Sequence, residues 1–61
     1  MAQITCKELS SLSDLLVAEQ LIMNKYQSYA CQTNDTALKN KYEQMAQKHR
    51  GHFETLYAQL K

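Results

Sequence analysis

The chain has 61 residues, of which 44% are apolar and 21% are charged, and its formal net charge is +1. This length is below that of a typical domain and excludes folds built on a large sheet or barrel. The near-neutral charge removes the usual electrostatic driving force for nucleic-acid binding, and the apolar content is too high for a disordered tail. With no proline and one glycine, the composition indicates a helical protein.

The first predicted helix covers about residues 6–31. Thr5 followed three residues later by Glu8 matches a capping box, which places the start of the helix near Cys6. Apolar side chains then recur in alternating steps of three and four residues, as in a heptad repeat. This stripe consists of Leu9, Leu12, Leu16, Met23, Tyr26 and Ala30. Within the stripe, residue 19 is a glutamate instead of an apolar residue.

A polar segment at about residues 32–35 interrupts the pattern and predicts a short turn. Asn34 is the expected N-cap of a second helix over about residues 36–60, with Asp35 placed near the positive end of that helix. The second stripe consists of Leu38, Tyr42, Met45, His49, His52 and Leu56. Since helices joined by a short loop pack antiparallel, residues 1–61 are expected to form a single helical hairpin.

One antiparallel register aligns the two stripes along their whole length. It places Tyr26 opposite Tyr42 and Glu19 opposite His49, with His52 one layer away. Further apolar residues widen the two stripes: Leu15, Ile22 and Tyr29 in the first helix and Ala46, Phe53 and Leu60 in the second. Two helices alone do not cover the wide apolar face that these residues form, and a chain of this length buries little surface without a partner. The expected fold is therefore all-α, a two-helix hairpin that forms an obligate homodimer as a four-helix bundle.

The layer formed by Glu19, His49 and His52 has two interpretations. A carboxylate and two imidazoles on inward helix faces suit a divalent metal such as Zn, Fe or Mn, and a symmetric dimer would double this ligand set. Alternatively, Glu19 accepts hydrogen bonds from the histidines, and the polar layer specifies register and oligomeric state. The spacing leaves both open, and it requires no other cofactor.

Several classes of function are not expected. No serine or cysteine falls in the Glu19 and His49 layers, and no glycine-rich loop is available to bind phosphate, so we expect no enzyme. The longest apolar run, residues 15–18, is far shorter than the roughly 20 residues of a membrane span. Cys6 and Cys31 lie too far apart along one helix for a disulfide, so reduced thiols in the cytoplasm are expected.

The chain resembles small proteins of the coat F family, the spore-coat-like proteins of clostridia and related spore formers. The residues that carry the resemblance are Glu19-Gln20-Leu21-Ile22, Tyr29-Ala30, Asn34-Asp35, Leu38-Lys39, His49-Arg50-Gly51-His52-Phe53, Leu56 and Leu60. They extend over about residues 9–60. The resemblance implies a fold of the ferritin-like superfamily, no established enzymatic activity, and a location in the mother-cell cytoplasm and the spore coat. The resemblance adds other coat proteins as possible partners to the second copy that the apolar face predicts. The charge and the short apolar runs predict no nucleic acid and no membrane as partners.

Ferritin-like di-iron sites combine an inward glutamate with a Glu-x-x-His motif. By the resemblance, Glu19 corresponds to the inward carboxylate and His49 to the histidine of the motif. Ala46 stands where the glutamate of the motif would be, and His52 is an additional ligand. We therefore expect no carboxylate-bridged di-iron centre and no ferroxidase chemistry. A histidine-rich site for a single metal, or no metal at all, remains consistent with the sequence.

Overall fold

The computed structural model describes residues 4–60, and over these residues the chain forms two antiparallel helices. Helix α1 spans Cys6–Gln32 and helix α2 spans Thr36–Tyr57, which a 3-10 turn at Ala58–Leu60 extends. The hairpin measures 47 × 16 × 10 Å. No strand occurs between residues 4 and 60. The prediction of an all-helical hairpin is therefore confirmed.

The start of α1 is stabilised by the capping box that the sequence predicts. The Thr5 hydroxyl accepts a hydrogen bond from the Glu8 backbone N–H at 3.1 Å, and the Glu8 carboxylate accepts one from the Thr5 N–H at 3.2 Å. Two backbone donors that the first turn leaves without helical partners are thereby satisfied.

The start of α2 differs from the prediction, because the N-cap is Asp35 and not Asn34. Asp35 Oδ1 accepts hydrogen bonds from the N–H groups of Ala37 and Leu38 at 2.9 and 3.1 Å. The Thr33 hydroxyl accepts from the Asp35 N–H at 3.1 Å, which folds the connection back within three residues. The cap is also a carboxylate, which the positive helix end favours over a neutral amide.

The core between the helices is narrow. Only Met23, Ala30 and Ala46 are buried among the described residues, and the remaining stripe residues are partly exposed. Leu9 and Leu38, which were expected in the stripe, are exposed, because each lies in the first turn of its helix where the opposite helix covers little.

The expected register is confirmed by two contacts. The rings of Tyr26 and Tyr42 have centroids 6.2 Å apart, and Glu19 contacts His49. The flanking apolar residues that widen the two stripes are distributed over different sides of the hairpin. Ala46 is buried inside the hairpin, while Leu15 and Phe53 line separate grooves.

Both cysteines are free and exposed. Within residues 4–60, neither helix combines the length and the apolar content that crossing a bilayer requires.

Candidate metal centre

Glu19 lies in the contact between the two helices. It lies in the middle of α1, three residues after Leu16 and four before Met23, so helical periodicity directs it toward α2 with these apolar neighbours. Its side chain retains 17% of its exposure. A carboxylate in this position requires polar partners, because removing it from water without them is costly.

Both partners come from α2. The carboxylate accepts a hydrogen bond from the Nδ1–H of His49, with 2.7 Å between Nδ1 and Oε2. Its other oxygen, Oε1, lies 3.5 Å from Nδ1 of His52. His49 and His52 are three residues apart, so both imidazoles lie on the same face of the helix. The two oxygens of one carboxylate therefore each face a different histidine.

These three residues, which we call the triad, are the ones that the sequence analysis singled out as candidate ligands. One donor atom from each lies within 4.8 Å of the donor atoms of the other two. Exposure differs across the triad, since the His49 side chain is 18% exposed and the His52 side chain is 49% exposed. The triad is thus closed on the side of His49 and open to solvent on the side of His52.

Aromatic rings support the closed side. The His49 ring stacks on Tyr26, with centroids 6.0 Å apart and planes 19° apart, and meets His52 edge-on with centroids 5.2 Å apart. These contacts restrict the rotation of the His49 ring. The support from Tyr26 was not predicted, although Tyr26 lies two helical turns after Glu19 and points to the same face.

The donor set fits a small divalent cation. Two imidazole nitrogens and one carboxylate oxygen are the protein ligands of many zinc sites, which leave the fourth tetrahedral position to water or another ligand. Zinc bonds of about 2.0–2.1 Å place tetrahedral ligands about 3.3 Å apart. The 2.7 Å contact between Glu19 and His49 must therefore open by about half an ångström, and the cation would replace the shared proton.

The arrangement fits a di-iron centre less well. Ala46, one helical turn before His49, is buried and offers no donor atom where a second glutamate would be needed. Iron and manganese sites generally use more oxygen ligands than one carboxylate provides. Among the metals considered from the sequence, zinc therefore fits the triad best.

Without metal, Glu19 and His49 are joined by a hydrogen bond, and the half-exposed His52 ring retains access to water. Among residues 4–60, no buried side-chain nitrogen or oxygen lacks a hydrogen-bond partner. Because the ionised carboxylate only accepts, the Nδ1 atom of His49 carries the proton in this arrangement. The same geometry thus serves either as a polar layer or as a site that exchanges a proton for a cation.

Comparisons with family models, with curated proteins and with solved structures gave no match for this chain.

Proposed function

We propose that the protein is a non-catalytic structural building block whose hairpin pairs with a second copy as a ferritin-like four-helix bundle. In this proposal it contributes to the spore coat, as the coat F resemblance implies, and its further partners are other coat proteins. It is made in the mother-cell cytoplasm before it joins the coat.

The observation that supports self-assembly is the excess of uncovered apolar surface on the hairpin. Large apolar side chains are exposed along both helices, among them Leu9, Leu15, Tyr29, Leu38 and Leu60. A chain of this length buries little apolar surface to offset the conformational entropy lost on folding. Small domains commonly bury the additional apolar surface that they need by associating with a partner. Two-fold pairing is the commonest form of such association.

The solution mass tests the dimer. We expect sedimentation equilibrium to give twice the chain mass of 7.1 kDa over a range of micromolar concentrations. A folded helical monomer over the same range contradicts the proposal.

Fractionation of purified spores tests the coat assignment. We expect the protein to be enriched in the coat extract and depleted from the spore core, as detected by mass spectrometry. Detection only in cells that are not sporulating contradicts a coat role and leaves the dimer unaffected.

A second candidate function is binding of a divalent metal, which the triad of Glu19, His49 and His52 supports. This function is compatible with the first, because a metal inside a bundle also stabilises the folded state. We expect protein purified without an affinity tag to contain about one zinc per chain by elemental analysis, and His49→Ala to lose it. Metal-free protein that also fails to take up added Zn²⁺ contradicts this function.

A further inference from the structure

Helix α1 carries a second apolar stripe that α2 covers only in part. It consists of Leu15, Ala18, Ile22 and Tyr29, in steps of three, four and seven residues, and we call it the open stripe. The Leu15 side chain is 52% exposed and that of Tyr29 is 42% exposed. Such spacing is typical of a helix that packs against another helix along its length.

The open stripe lies on one side of the hairpin. Leu15 lines a groove together with Leu12 and Leu56. Phe53 lines a different groove, whose α1 residues include Gln20 and Gln27. The open stripe therefore lies on the side of Leu15, whereas amide side chains of α1 line the side of Phe53.

The triad adjoins the open stripe. Glu19 lies four residues after Leu15 and three before Ile22, so it is the neighbour of both on the surface of α1. On α2, His52 lies four residues before Leu56, which lines the groove that Leu15 also lines. A partner that covers the centre of the open stripe therefore also covers the exposed side of the triad.

A second copy of α1 is the occupant that fits. A two-fold interface must be complementary to itself, and the two inner residues of the open stripe, Ala18 and Ile22, lie close to the middle of the helix Cys6–Gln32. Antiparallel pairing about an axis there overlaps the whole helix. It also brings Asp14 of each copy opposite Lys25 of the other, so that opposite charges meet on both sides of the two-fold axis.

We propose that Zn²⁺ binding at the triad and pairing of two copies through the open stripe are coupled, each strengthening the other. This proposal rests on the proposed dimer and on the second candidate function. Its physical reason is dehydration, because a covering helix removes water from the Glu19 carboxylate, and an uncompensated buried carboxylate is costly. A bound cation offsets this charge. The coupling must be reciprocal, since both effects share one free energy.

Sedimentation equilibrium with excess EDTA and with Zn²⁺ tests the coupling. We expect Zn²⁺ to lower the dissociation constant of the dimer on the order of tenfold, within the range typical of coupled sites. Glu19→Gln is expected to remain a dimer and to lose this response. A dimer whose dissociation constant does not change with Zn²⁺ overturns the coupling and leaves the dimer itself intact. A monomer under all conditions overturns the proposed function as well.

Matched variants test which surface pairs. Leu15→Lys is expected to weaken the dimer, whereas Val17→Lys is not, because Val17 is 60% exposed and lies on the outer face of α1, away from the open stripe. Lys25→Glu is expected to weaken the dimer, and the further change Asp14→Lys to restore it. Circular dichroism checks that each variant remains helical. Equal dimerisation of Leu15→Lys and the wild type overturns the assignment of the surface.

Discussion

At the scale of single residues, the unusual feature is a carboxylate that lies between the two helices. Glu19 is tolerated because each of its oxygens faces an imidazole and because the hairpin is thin enough to leave it some contact with water. Full burial would require a cation or a proton. Glu19 is therefore compatible with the isolated hairpin, whereas an assembly that buries it further requires a cation or a proton to offset its charge.

The change Glu19→Gln separates the two interpretations of the triad. We expect the metal-free fold to be as stable as the wild type or more stable, because a neutral amide is cheaper to dehydrate and still accepts from His49. Zinc affinity is expected to fall at least about tenfold, since the loss of even an outer partner of a ligand commonly costs about 10–100-fold. Calorimetric titration with Zn²⁺ measures this.

Glu43→Gln is the matched control, since Glu43 is an exposed glutamate of α2. It changes the net charge equally and is expected to leave zinc affinity unchanged. Full zinc affinity in Glu19→Gln contradicts the role of Glu19 as a ligand.

Gly51 gives a second expectation at this scale. It lies inside α2 between the two histidines, its φ is not positive, and a Cβ added there meets no atom within 4 Å. Glycine costs a helix interior roughly 1 kcal/mol relative to alanine. We expect Gly51→Ala to stabilise the helix by about this amount, measured by thermal unfolding. Destabilisation would mean that the two imidazoles require a flexible turn between them.

At the scale of the helices, the N-caps determine where each helix begins. In both helices, a side-chain oxygen of the N-cap residue accepts hydrogen bonds from backbone N–H groups of the first turn. The cap of α1 is the neutral Thr5, whereas the cap of α2 is the charged Asp35. A charged cap combines a hydrogen-bond acceptor with a favourable interaction with the helix dipole. The connection between the helices is therefore short and well specified.

Alanine substitution distinguishes the true cap from its neighbour. We expect Asp35→Ala to lower the free energy of unfolding by about 1 kcal/mol, as the loss of an N-cap typically does. Asn34→Ala is expected to have a smaller effect, because among the described hydrogen bonds the donors at the start of α2 are satisfied by Asp35 and not by Asn34. Chemical denaturation followed by circular dichroism measures both. Equal losses from the two variants would contradict the assignment of the cap.

At the scale of the whole molecule, two helices in contact produce a core that is one layer thick. Most side chains of both stripes remain partly exposed. The hydrophobic contribution to the free energy of folding is therefore small compared with the conformational entropy that the chain loses on folding. Covering the open stripe adds buried apolar area without ordering more chain. Stability and assembly are therefore expected to depend on each other.

This dependence leads to a concentration effect. If folding is coupled to dimerisation, the midpoint of thermal unfolding rises with protein concentration, because mass action favours the dimer. We expect the midpoint to increase over a hundredfold range of concentration, and Leu15→Lys to have a lower midpoint that varies less. A midpoint that is independent of concentration contradicts an obligate dimer.

The sequence by itself determined the local features of the fold. Helical periodicity converts sequence separation into a shared helix face, so residue spacing predicts the two heptad stripes. Residue types and spacing also predict the capping box of Thr5 and Glu8 and the polar turn. Aligning the two stripes across this turn predicts the register that pairs Glu19 with His49. The sequence places the N-cap of α2 one residue too early, at Asn34, because asparagine and aspartate have similar cap preferences. The hydrogen bonds that Asp35 accepts from Ala37 and Leu38 distinguish the two residues.

Only the tertiary structure decided how exposed each residue is and on which side of the hairpin it lies. Residue spacing cannot reveal that His52 is open to solvent while His49 is covered by Tyr26, because this depends on the angle at which the helices cross. For the same reason it did not reveal that Leu15 and Phe53 line separate grooves. These placements, which depend on contacts across the hairpin, put the open stripe beside the triad.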